Sequence, residues 1–323
     1  MSFDNTGPNL SDVDRSLLIE QYGGVVESQF AKASIMRQYA QIRPVRGTDT
    51  ITNNRVGKTT LKALVPGVRP PADPTPFGKV SVTVDTIVIA RDNRSTLNDF
   101  QTHFDARSEL GKDHGKQIGK FFDQAFIIMA IKGAQMAAPD FGMGAEKNSI
   151  GAGKSVQLNA GEEADPDILA QAIEDILVAM EEEEVPVEEA LVMVRPTEYK
   201  TLLNNNKLTN SLFSPGNGDY AQMKITLIAD SRIVKSARIP REISDGHHFL
   251  SNAQNGYAYD VAAKDAKAVA VILHPKAFLA GETIPLTSNV FYDDVEKQWF
   301  IDSWLAFGVA VNRPDVCGAV FKA

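Results

Sequence analysis

The sequence of 323 residues is poor in cysteine and contains no long apolar run. Its single cysteine, Cys317, excludes an intramolecular disulfide and any zinc site built from several cysteines. It also favours a reducing compartment, or a fold that does not rely on disulfides. No stretch of about 18 apolar residues occurs, so the sequence predicts no transmembrane helix. Met1 to Asn5 carry neither a basic nor an apolar leader, and we expect no secretory signal.

An excess of positive charge is also missing, since 33 basic and 41 acidic side chains give a net charge of −8. This balance argues against a dedicated nucleic-acid-binding protein. The charge is unevenly distributed. Residues 35–70 hold seven basic side chains and one acid, whereas residues 161–190 hold twelve acids and no Lys or Arg. Two such regions can attract copies of the same molecule, or they can be two solvated faces, and the pattern leaves both interpretations open.

Residues 46–90 predict a long hairpin. Thr59–Val65 is strand-like, and Val80–Asp85 alternates apolar and polar residues with the period of a strand. Between them lie five prolines in eleven residues, a density that no helix or central strand tolerates. An isolated two-stranded hairpin is at best marginally stable in water. We therefore expect this hairpin to pack on a surface outside the molecule or, alternatively, on its own domain.

Two amphipathic segments predict helices on either side of the hairpin. Residues 13–41 carry an apolar stripe, and Gly23-Gly24 in its middle predicts a break. Residues 97–137 predict one spine helix, which at about 1.5 Å per residue would span roughly 60 Å.

Three glycines of this spine, Gly111, Gly115 and Gly119, lie four residues apart on one face. Each costs about 1 kcal/mol relative to alanine in a helix. Such a face allows either the close approach of a neighbouring backbone or bending. The alternative is a helix that ends near Gly111 and then restarts.

The second half of the sequence predicts a small α/β unit followed by terminal strands. Segments 138–164 and 204–222 are rich in turn-forming residues and are predicted as loops. The predicted elements are a helix starting at Asp165-Pro166, a buried strand at Ala190–Val194, a short helix at Pro196–Leu203, strands at Lys224–Leu227, Arg232–Val234 and Ala266–Leu273, a hairpin of Val290–Tyr292 with Gln298–Val311, and a last strand at Gly318–Phe321. Together with the long hairpin they predict an α+β fold.

Two stretches imitate a phosphate-binding loop. Gly151–Ser155 ends in Gly-Lys-Ser, and Gly57-Lys58-Thr59 ends in Gly-Lys-Thr. The full motif needs a further glycine five residues before the second one, where this sequence has Asn148 and Thr52. Neither stretch is flanked by the required buried strand and helix, so ATP or GTP binding is a minor alternative.

Other candidates for chemistry are equally weak. His247-His248 beside Asp245 could hold a metal, but adjacent residues point apart and no third ligand is near in sequence. Cys317 lacks a catalytic frame and is typical of a packed small apolar residue. The sequence contains no G-x-S-x-G motif. It therefore predicts no catalytic residue, no cofactor and no metal, and we expect the protein not to be an enzyme.

Local motifs accompany this order of elements. They are Tyr22–Val26 with Phe30–Ser34, Leu64–Gly67, His103–Glu109, Val194–Tyr199 and Arg313-Pro314. Together they resemble the major capsid protein of short-tailed, podovirus-type tailed bacteriophages, with the Hong Kong 97-type coat fold. His103–Glu109 (HFDARSE), which resembles the start of the spine in podovirus coat proteins, is the most specific of them.

The resemblance implies a division of the chain. The implied parts are an N-terminal arm at 1–45, an extended loop at 46–90, the first part of a peripheral domain with the spine helix at 91–184, an axial domain at 185–265, and the second part of the peripheral domain at 266–323. The arm and the extended loop would reach across neighbouring subunits, and the axial domain would surround the centres of the capsomers.

The resemblance also implies a structural function. Pentamers and hexamers of the chain would form an icosahedral shell around double-stranded DNA, without sequence-specific binding and without a membrane. The sequence starts directly with the arm, so we expect a separate scaffolding protein and a procapsid that expands on maturation. A portal protein is implied and a cement protein is compatible. Assembly would take place in the host cytoplasm and the product would be the virion capsid.

Two sets of residues are hypotheses within this resemblance. The basic residues of the extended loop, Arg46, Arg55, Lys58, Lys62 and Arg69, are expected to contact acidic surface on adjacent subunits. Gly111, Gly115 and Gly119 are expected to form a hinge of the spine that bends in the immature shell. Two alternatives remain: the shell of a cellular nanocompartment of the same fold, which encloses protein cargo, and a nucleotide-binding protein that uses Gly151–Ser155.

Overall fold

The computed structural model describes residues 12–64, 66–67, 69, 72–95, 106–142, 148–209, 218–219, 224–243 and 249–323. The helices in this part of the chain are α1 (Asp12–Ala33), α2 (Met36–Tyr39), α3 (Ala106–Gln135), α4 (Pro166–Glu181), α5 (Pro196–Leu202) and α6 (Asn206–Thr209). The strands are β1 (Ile42–Pro44), β2 (Thr50–Val56), β3 (Phe77–Thr83), β4 (Val88–Ser95), β5 (Lys154–Gln157), β6 (Leu191–Val194), β7 (Gly218–Asp219), β8 (Lys224–Ile225), β9 (Leu227–Ile228), β10 (Ser231–Lys235), β11 (Ala268–Leu273), β12 (Phe278–Asp293), β13 (Gln298–Val311) and β14 (Cys317–Phe321). Among the described residues, no helix is both long and apolar enough to cross a membrane.

The arm helix α1 runs without a break through Gly23-Gly24, so the predicted interruption there is wrong. Tyr22, Val26 and Phe30 are buried along one side of α1 and hold the helix on the rest of the molecule, which outweighs the low helix propensity of the glycines. The real break follows Ala33, and the chain then forms the single turn α2 and the short strand β1.

The long hairpin is confirmed, but its first strand lies earlier than predicted. β2 pairs antiparallel with β3, from Thr50 opposite Thr83 to Val56 opposite Phe77. The predicted strand at Thr59–Val65 is wrong, because residues 57–64 have no strand partner in the described part of the chain. The facing limb contains Pro74 and Pro76, which have no N–H to donate, so the ladder cannot continue beyond the bond from Gly57 N to Pro76 O.

The spine helix α3 is continuous from Ala106 to Gln135, so the alternative of a helix that restarts near Gly111 is wrong. Its 30 residues span about 45 Å. The predicted beginning at residue 97 and the first three residues of the HFDARSE motif lie outside the described residues. The second half of α3 is buried from Phe122 to Ile131 except at Gln124, and most of these residues belong to the main hydrophobic core.

A four-stranded sheet has the order β1-β12-β13-β4. The predicted strand Gln298–Val311 is confirmed as β13, but its partner β12 spans 16 residues and begins at Phe278 instead of Val290. Register shifts between Glu282 and Ile284, and between Ile284 and Thr287, break the alternation of this strand. Pro285 lies within the second of these shifts, and a proline at this position made the segment resemble a turn in the sequence.

A six-stranded sheet has the order β5-β14-β11-β6-β10-β9 and forms the centre of the molecule. Helix α4 packs on it, and its predicted start is confirmed because the Asp165 side chain accepts from the N–H groups of Asp167 and Ile168. Strand β5 lies within the predicted loop 138–164 and corrects that prediction; four residues are too short for a periodic signal. The predicted domain boundaries at 185 and 265 divide this sheet, whose strands come from three of the predicted parts.

The predicted loop at 204–222 also contains regular structure. Helix α6 begins where the Asn205 side chain accepts from the N–H groups of Lys207 and Leu208. Residues 210–217 and 220–222 of that segment lie outside the described residues. The predicted strand Lys224–Leu227 is divided between β8 and β9.

Candidate assembly surface

The base of the long hairpin is fixed to the chain's own terminal strands. The Arg55 guanidinium donates to the Val311 carbonyl oxygen over 2.9 Å, and the Asn53 amide donates to the Asn312 side chain over 2.9 Å. Burial lowers the pKa of Arg55, partly offset by the charge of Asp315. These contacts show that β2 and β3 pack on their own subunit as far as Val56.

Beyond Val56 lies the hairpin tip, which we define as the described residues 57–64, 66–67, 69 and 72–76. Leu61 is 92% exposed and Leu64 is 73% exposed, and Phe77 at the foot of the tip is 72% exposed. Lys62 pairs with Asp73 across the two limbs at 2.9 Å. Large apolar side chains exposed together on a projecting segment mark a surface that another molecule covers.

The structure brings together only part of the predicted set of basic contact residues. Lys58, Lys62 and Arg69 are exposed on the hairpin tip. Arg46 is also exposed but precedes β2, at the end of the strand remote from the tip. Arg55 is directed to Val311 of its own chain. Contact of these residues with a neighbouring subunit stays a prediction.

The acidic region predicted from the sequence is a surface of α4 and the turn that follows it. The α4 outer face, defined by its exposed residues, consists of Asp167, Ile168, Gln171, Glu174, Asp175, Val178, Glu181 and Glu182. Lys154 pairs with Glu183 just beyond the end of the helix. The face is therefore negatively charged, but it also exposes two apolar side chains, Ile168 and Val178.

The glycine face of the spine is packed against the arm helix. A Cβ atom on Gly111 would lie 2.9 Å from the Tyr22 ring, one on Gly115 would lie 2.5 Å from the Val26 carbonyl oxygen, and one on Gly119 would lie 3.0 Å from the Ala33 Cβ. Of the two roles considered for these glycines, close backbone approach is therefore present in the structure. Their role as a hinge stays a prediction.

A buried carboxylate that the sequence analysis missed fixes the end of the arm helix. Asp123, fully buried on α3, accepts from the Ser34 hydroxyl at 2.6 Å, the Ile35 N–H at 2.9 Å and the Met36 N–H at 3.0 Å. Arg238 forms an ion pair with the same carboxylate. The sequence gives one signal for it, an acid inside the apolar half of a helix. A charged side chain is almost never fully buried unless it is paired, so such an acid indicates a buried partner.

A second buried polar group joins the arm, the spine and the four-stranded sheet. The Tyr22 hydroxyl lies 2.8 Å from His114 Nδ1 and 3.1 Å from the Ser303 hydroxyl, and His114 Nε2 lies 2.8 Å from the Asp92 carboxylate. Burial raises the pKa of Tyr22 to about 12, helped by the nearby charges of Asp92 and Asp302 and opposed by the Ser303 hydrogen bond. The hydroxyl is therefore protonated at neutral pH and available as a donor.

The stretches that imitate phosphate loops have packing roles. Lys154 lies in β5 and pairs with Glu183. Gly153 approaches Gly133 at the end of the spine so closely that a Cβ atom would collide with its carbonyl oxygen. Gly57 continues from β2 into the hairpin tip. Neither segment leads into a helix within the described residues, which removes the geometric basis of the nucleotide alternative.

The structure supplies no metal-binding group from the described residues, since no three His, Cys, Asp or Glu side chains lie together there. Asp245 and His247-His248 lie outside the described part of the chain. Cys317 is fully buried beside Gly133, and burial raises the pKa of its thiol well above the usual range. A neutral, inaccessible thiol is a packing residue rather than a nucleophile.

The arrangement of arm, hairpin, spine and sheets matches solved phage capsids. The chain superimposes over 90% of its length on 87% of a chain in the mature capsid of bacteriophage PhiM1, with a TM-score of 0.76 and 24% identity. It matches the capsid of cyanophage P-SCSP1u over 90% of this chain and 88% of that one, with a TM-score of 0.76 and 19% identity. A virus-like particle from Pyrococcus furiosus matches more weakly, with a TM-score of 0.53 and 10% identity over 94% of this chain and 99% of that one.

The fold is thus that of a Hong Kong 97-type phage coat protein, which confirms the resemblance seen in the sequence. The model of the Gp10A-like family, described as a major capsid protein, matches residues 82–284. The chain belongs to this family, whose members are structural proteins and not enzymes. Among curated proteins none matches the chain.

Proposed function

We propose that many copies of this chain assemble as pentamers and hexamers into the icosahedral shell that encloses the double-stranded DNA of a tailed phage. The observation that carries the proposal is the hairpin tip, which exposes Leu61 and Leu64 to solvent. Apolar side chains at such exposure are covered in a stable assembly. The match of the central 82–284 region to major capsid proteins supports the same conclusion.

In the proposed shell, each part of the chain has a separate structural role. The arm (1–45) and the extended loop (46–90) reach neighbouring subunits, the two peripheral parts (91–184 and 266–323) carry the spine and the terminal hairpin, and residues 185–265 surround the capsomer centres. Gly111, Gly115 and Gly119 let the spine bend before expansion. Because they also pack against α1, a bend there moves the arm together with the spine.

The proposed assembly also has partners. A separate scaffolding protein directs a procapsid that later expands, a portal protein occupies one vertex, and a cement protein is compatible with the outer surface. The shell contains DNA without sequence-specific binding, in keeping with the net charge of −8, since strong phosphate contacts would hinder packaging and release. Assembly takes place in the host cytoplasm.

The test is expression of the chain together with its neighbouring genes, followed by negative-stain electron microscopy. We expect uniform hollow particles several hundred ångströms across, roughly the size of a small phage head. A small monodisperse species with every neighbouring gene present would overturn the proposal. The chain alone is the control that reveals the requirement for a scaffold.

A nanocompartment shell is the second candidate, favoured by the likeness to the virus-like particle of Pyrococcus furiosus. The contents of the particles separate the two. A copurifying protein cargo would favour the nanocompartment, whereas particles that are filled with DNA in infected cells would favour the phage shell.

A further inference from the structure

The hairpin tip and the α4 outer face are complementary in charge and in apolar pattern. The tip carries Lys58, Lys62 and Arg69 against the single acid Asp73. Residues 161–190, which include the α4 outer face, hold twelve acids and no Lys or Arg. In a chain of net charge −8, this is a local excess of each sign on two separate surfaces.

Apolar side chains accompany the charges on both surfaces. Leu61 and Leu64 are exposed on the tip, and Ile168 and Val178 are exposed on the outer face of α4. Along α4, Ile168, Asp175, Val178 and Glu182 recur at steps of seven, three and four, which places them in one line on the helix. The line thus alternates apolar and acidic groups, as the tip alternates apolar and basic ones.

The lengths of the two surfaces also agree. The limb from residue 57 to residue 64 contains eight residues and reaches at most roughly 28 Å when extended. The 16 residues of α4 span about 24 Å. One limb of the tip can therefore follow the whole helix.

We propose that the hairpin tip of one copy lies along the α4 outer face of a second copy, with its two exposed leucines on the exposed apolar side chains of the helix. The inference rests on the proposed shell function and adds the surface that receives the tip. The tip cannot bind this face through Arg55, which is bound to its own Val311. Lys58 and Arg69 are the basic residues to change, because Lys62 already pairs with Asp73.

A charge exchange between the two surfaces tests the contact. Lys58→Glu with Arg69→Glu reverses the tip, and Asp175→Lys with Glu182→Lys reverses the helix. We expect each double variant to remain a soluble, folded subunit and to form no particles under the electron microscope. We expect the combined fourfold variant to form particles again.

The matched control combines the reversed tip with Asp294→Lys and Glu296→Lys in the exposed turn between β12 and β13. It restores the same net charge without changing α4, and we expect it to form no particles. Particles from this control, or none from the fourfold variant, would overturn the proposed contact, whereas particles from the wild type would still support the shell function. Retention of the wild-type chain on duplex DNA that the reversed tip loses would instead identify DNA as the occupant of the tip.

A second measurement does not depend on shells. Leu61→Cys protein is mixed at high concentration with a size-tagged Val178→Cys protein under mild oxidation. The native Cys317 is buried, so we expect it not to form a disulfide. We expect a disulfide-linked heterodimer, and much less of it when Val295→Cys in the remote exposed turn replaces Val178→Cys. Equal yields, or no heterodimer, would overturn the contact. If the wild type forms no particles, the shell function fails and the cross-link still decides whether the two surfaces meet.

Discussion

Asp123 and Arg238 form an ion pair at the residue where the arm helix ends. The carboxylate is fully buried, and Arg238 also donates to the carbonyl oxygen of Ala33, the last residue of α1. The same carboxylate receives the N–H groups of Ile35 and Met36. One side chain of the spine thus fixes the point at which the arm helix ends on its own subunit.

Asp123→Ala is expected to destabilise the subunit by about 3–5 kcal/mol, because it leaves Arg238 and two backbone N–H groups without their partner. Urea unfolding of the soluble subunit measures the change. Asp113→Ala on the exposed side of the same helix is the control, expected within about 0.5 kcal/mol of the wild type. Equal midpoints for the two variants would contradict the role of Asp123.

Gly115→Ala is expected to destabilise the subunit by about 1–3 kcal/mol, although alanine favours helices. The added Cβ atom would lie 2.5 Å from the Val26 carbonyl oxygen, and backbone cannot rotate away. Gly24→Ala is the matched control on α1, since no atom lies within 4 Å of its added Cβ. It is expected to stabilise by about 0.5–1 kcal/mol. The midpoint temperature of thermal unfolding measures both effects. A higher midpoint for both variants would contradict the close packing at Gly115.

The hinge proposed for the spine needs a variant that disturbs this packing less than Gly115→Ala does. Single Gly111→Ala meets only the Tyr22 ring and the Val25 side chain rather than backbone. We expect it to slow expansion of the shell, followed by time-resolved light scattering, while the unfolding midpoint changes less than in Gly115→Ala. Wild-type expansion kinetics in Gly111→Ala would argue against the hinge.

Stability at alkaline pH should depend on Tyr22. Burial raises the pKa of Tyr22 to about 12, from an ordinary value of 10.0. As the pH rises from 10 to 12, the unfolded chain loses this proton before the folded chain does, so the free energy of unfolding falls in that window. Tyr22→Phe removes this contribution, and its stability should fall less steeply over the same range. At neutral pH it should be about 1–3 kcal/mol less stable, since His114 and Ser303 lose a partner.

Urea unfolding at several values of pH measures the effect. Parallel curves for wild type and Tyr22→Phe between pH 10 and 12 would contradict the prediction.

We expect calorimetry with magnesium and ATP at millimolar concentration to show no binding to the wild-type protein. Lys154→Ala should give the same result. The substitution removes a partly exposed ion pair with Glu183 and should cost at most about 1 kcal/mol. Binding of ATP that is lost in the variant would revive the nucleotide alternative.

Sequence patterns predicted the elements whose periodicity or caps are local. The stripe of α4 with its Asp165 cap and the buried strand β6 were found because propensity, burial and period agree there. The start of β12 was missed because Pro285 and two register shifts interrupt its alternation. The first hairpin strand was predicted at Thr59–Val65, but β2 ends at Val56. The strand ends there because Pro76 and Pro74 on the facing limb have no N–H group to donate.

The candidate surface was predicted in part. Basic residues of the extended loop are visible in the sequence, but the sequence does not show that Arg55 turns to Val311 while Lys58 and Arg69 stay exposed. The partners of Asp123 come from segments about 88 and 115 residues away along the chain, and no local pattern reveals them. The sequence at Gly151–Ser155 resembles part of a phosphate-binding loop, and sequence alone does not show the packing of Gly153 against Gly133. That contact shows that the glycine has a packing role.

Strand β14 has a consequence for synthesis. Its five residues, Cys317–Phe321, are all buried, and the strand lies between β5 and β11 inside the six-stranded sheet. A growing chain cannot close this sheet until those residues have left the ribosome, since pairings this distant in sequence form late. A chain that stops before β14 lacks an interior strand of the sheet, so we expect truncated chains to remain incompletely folded.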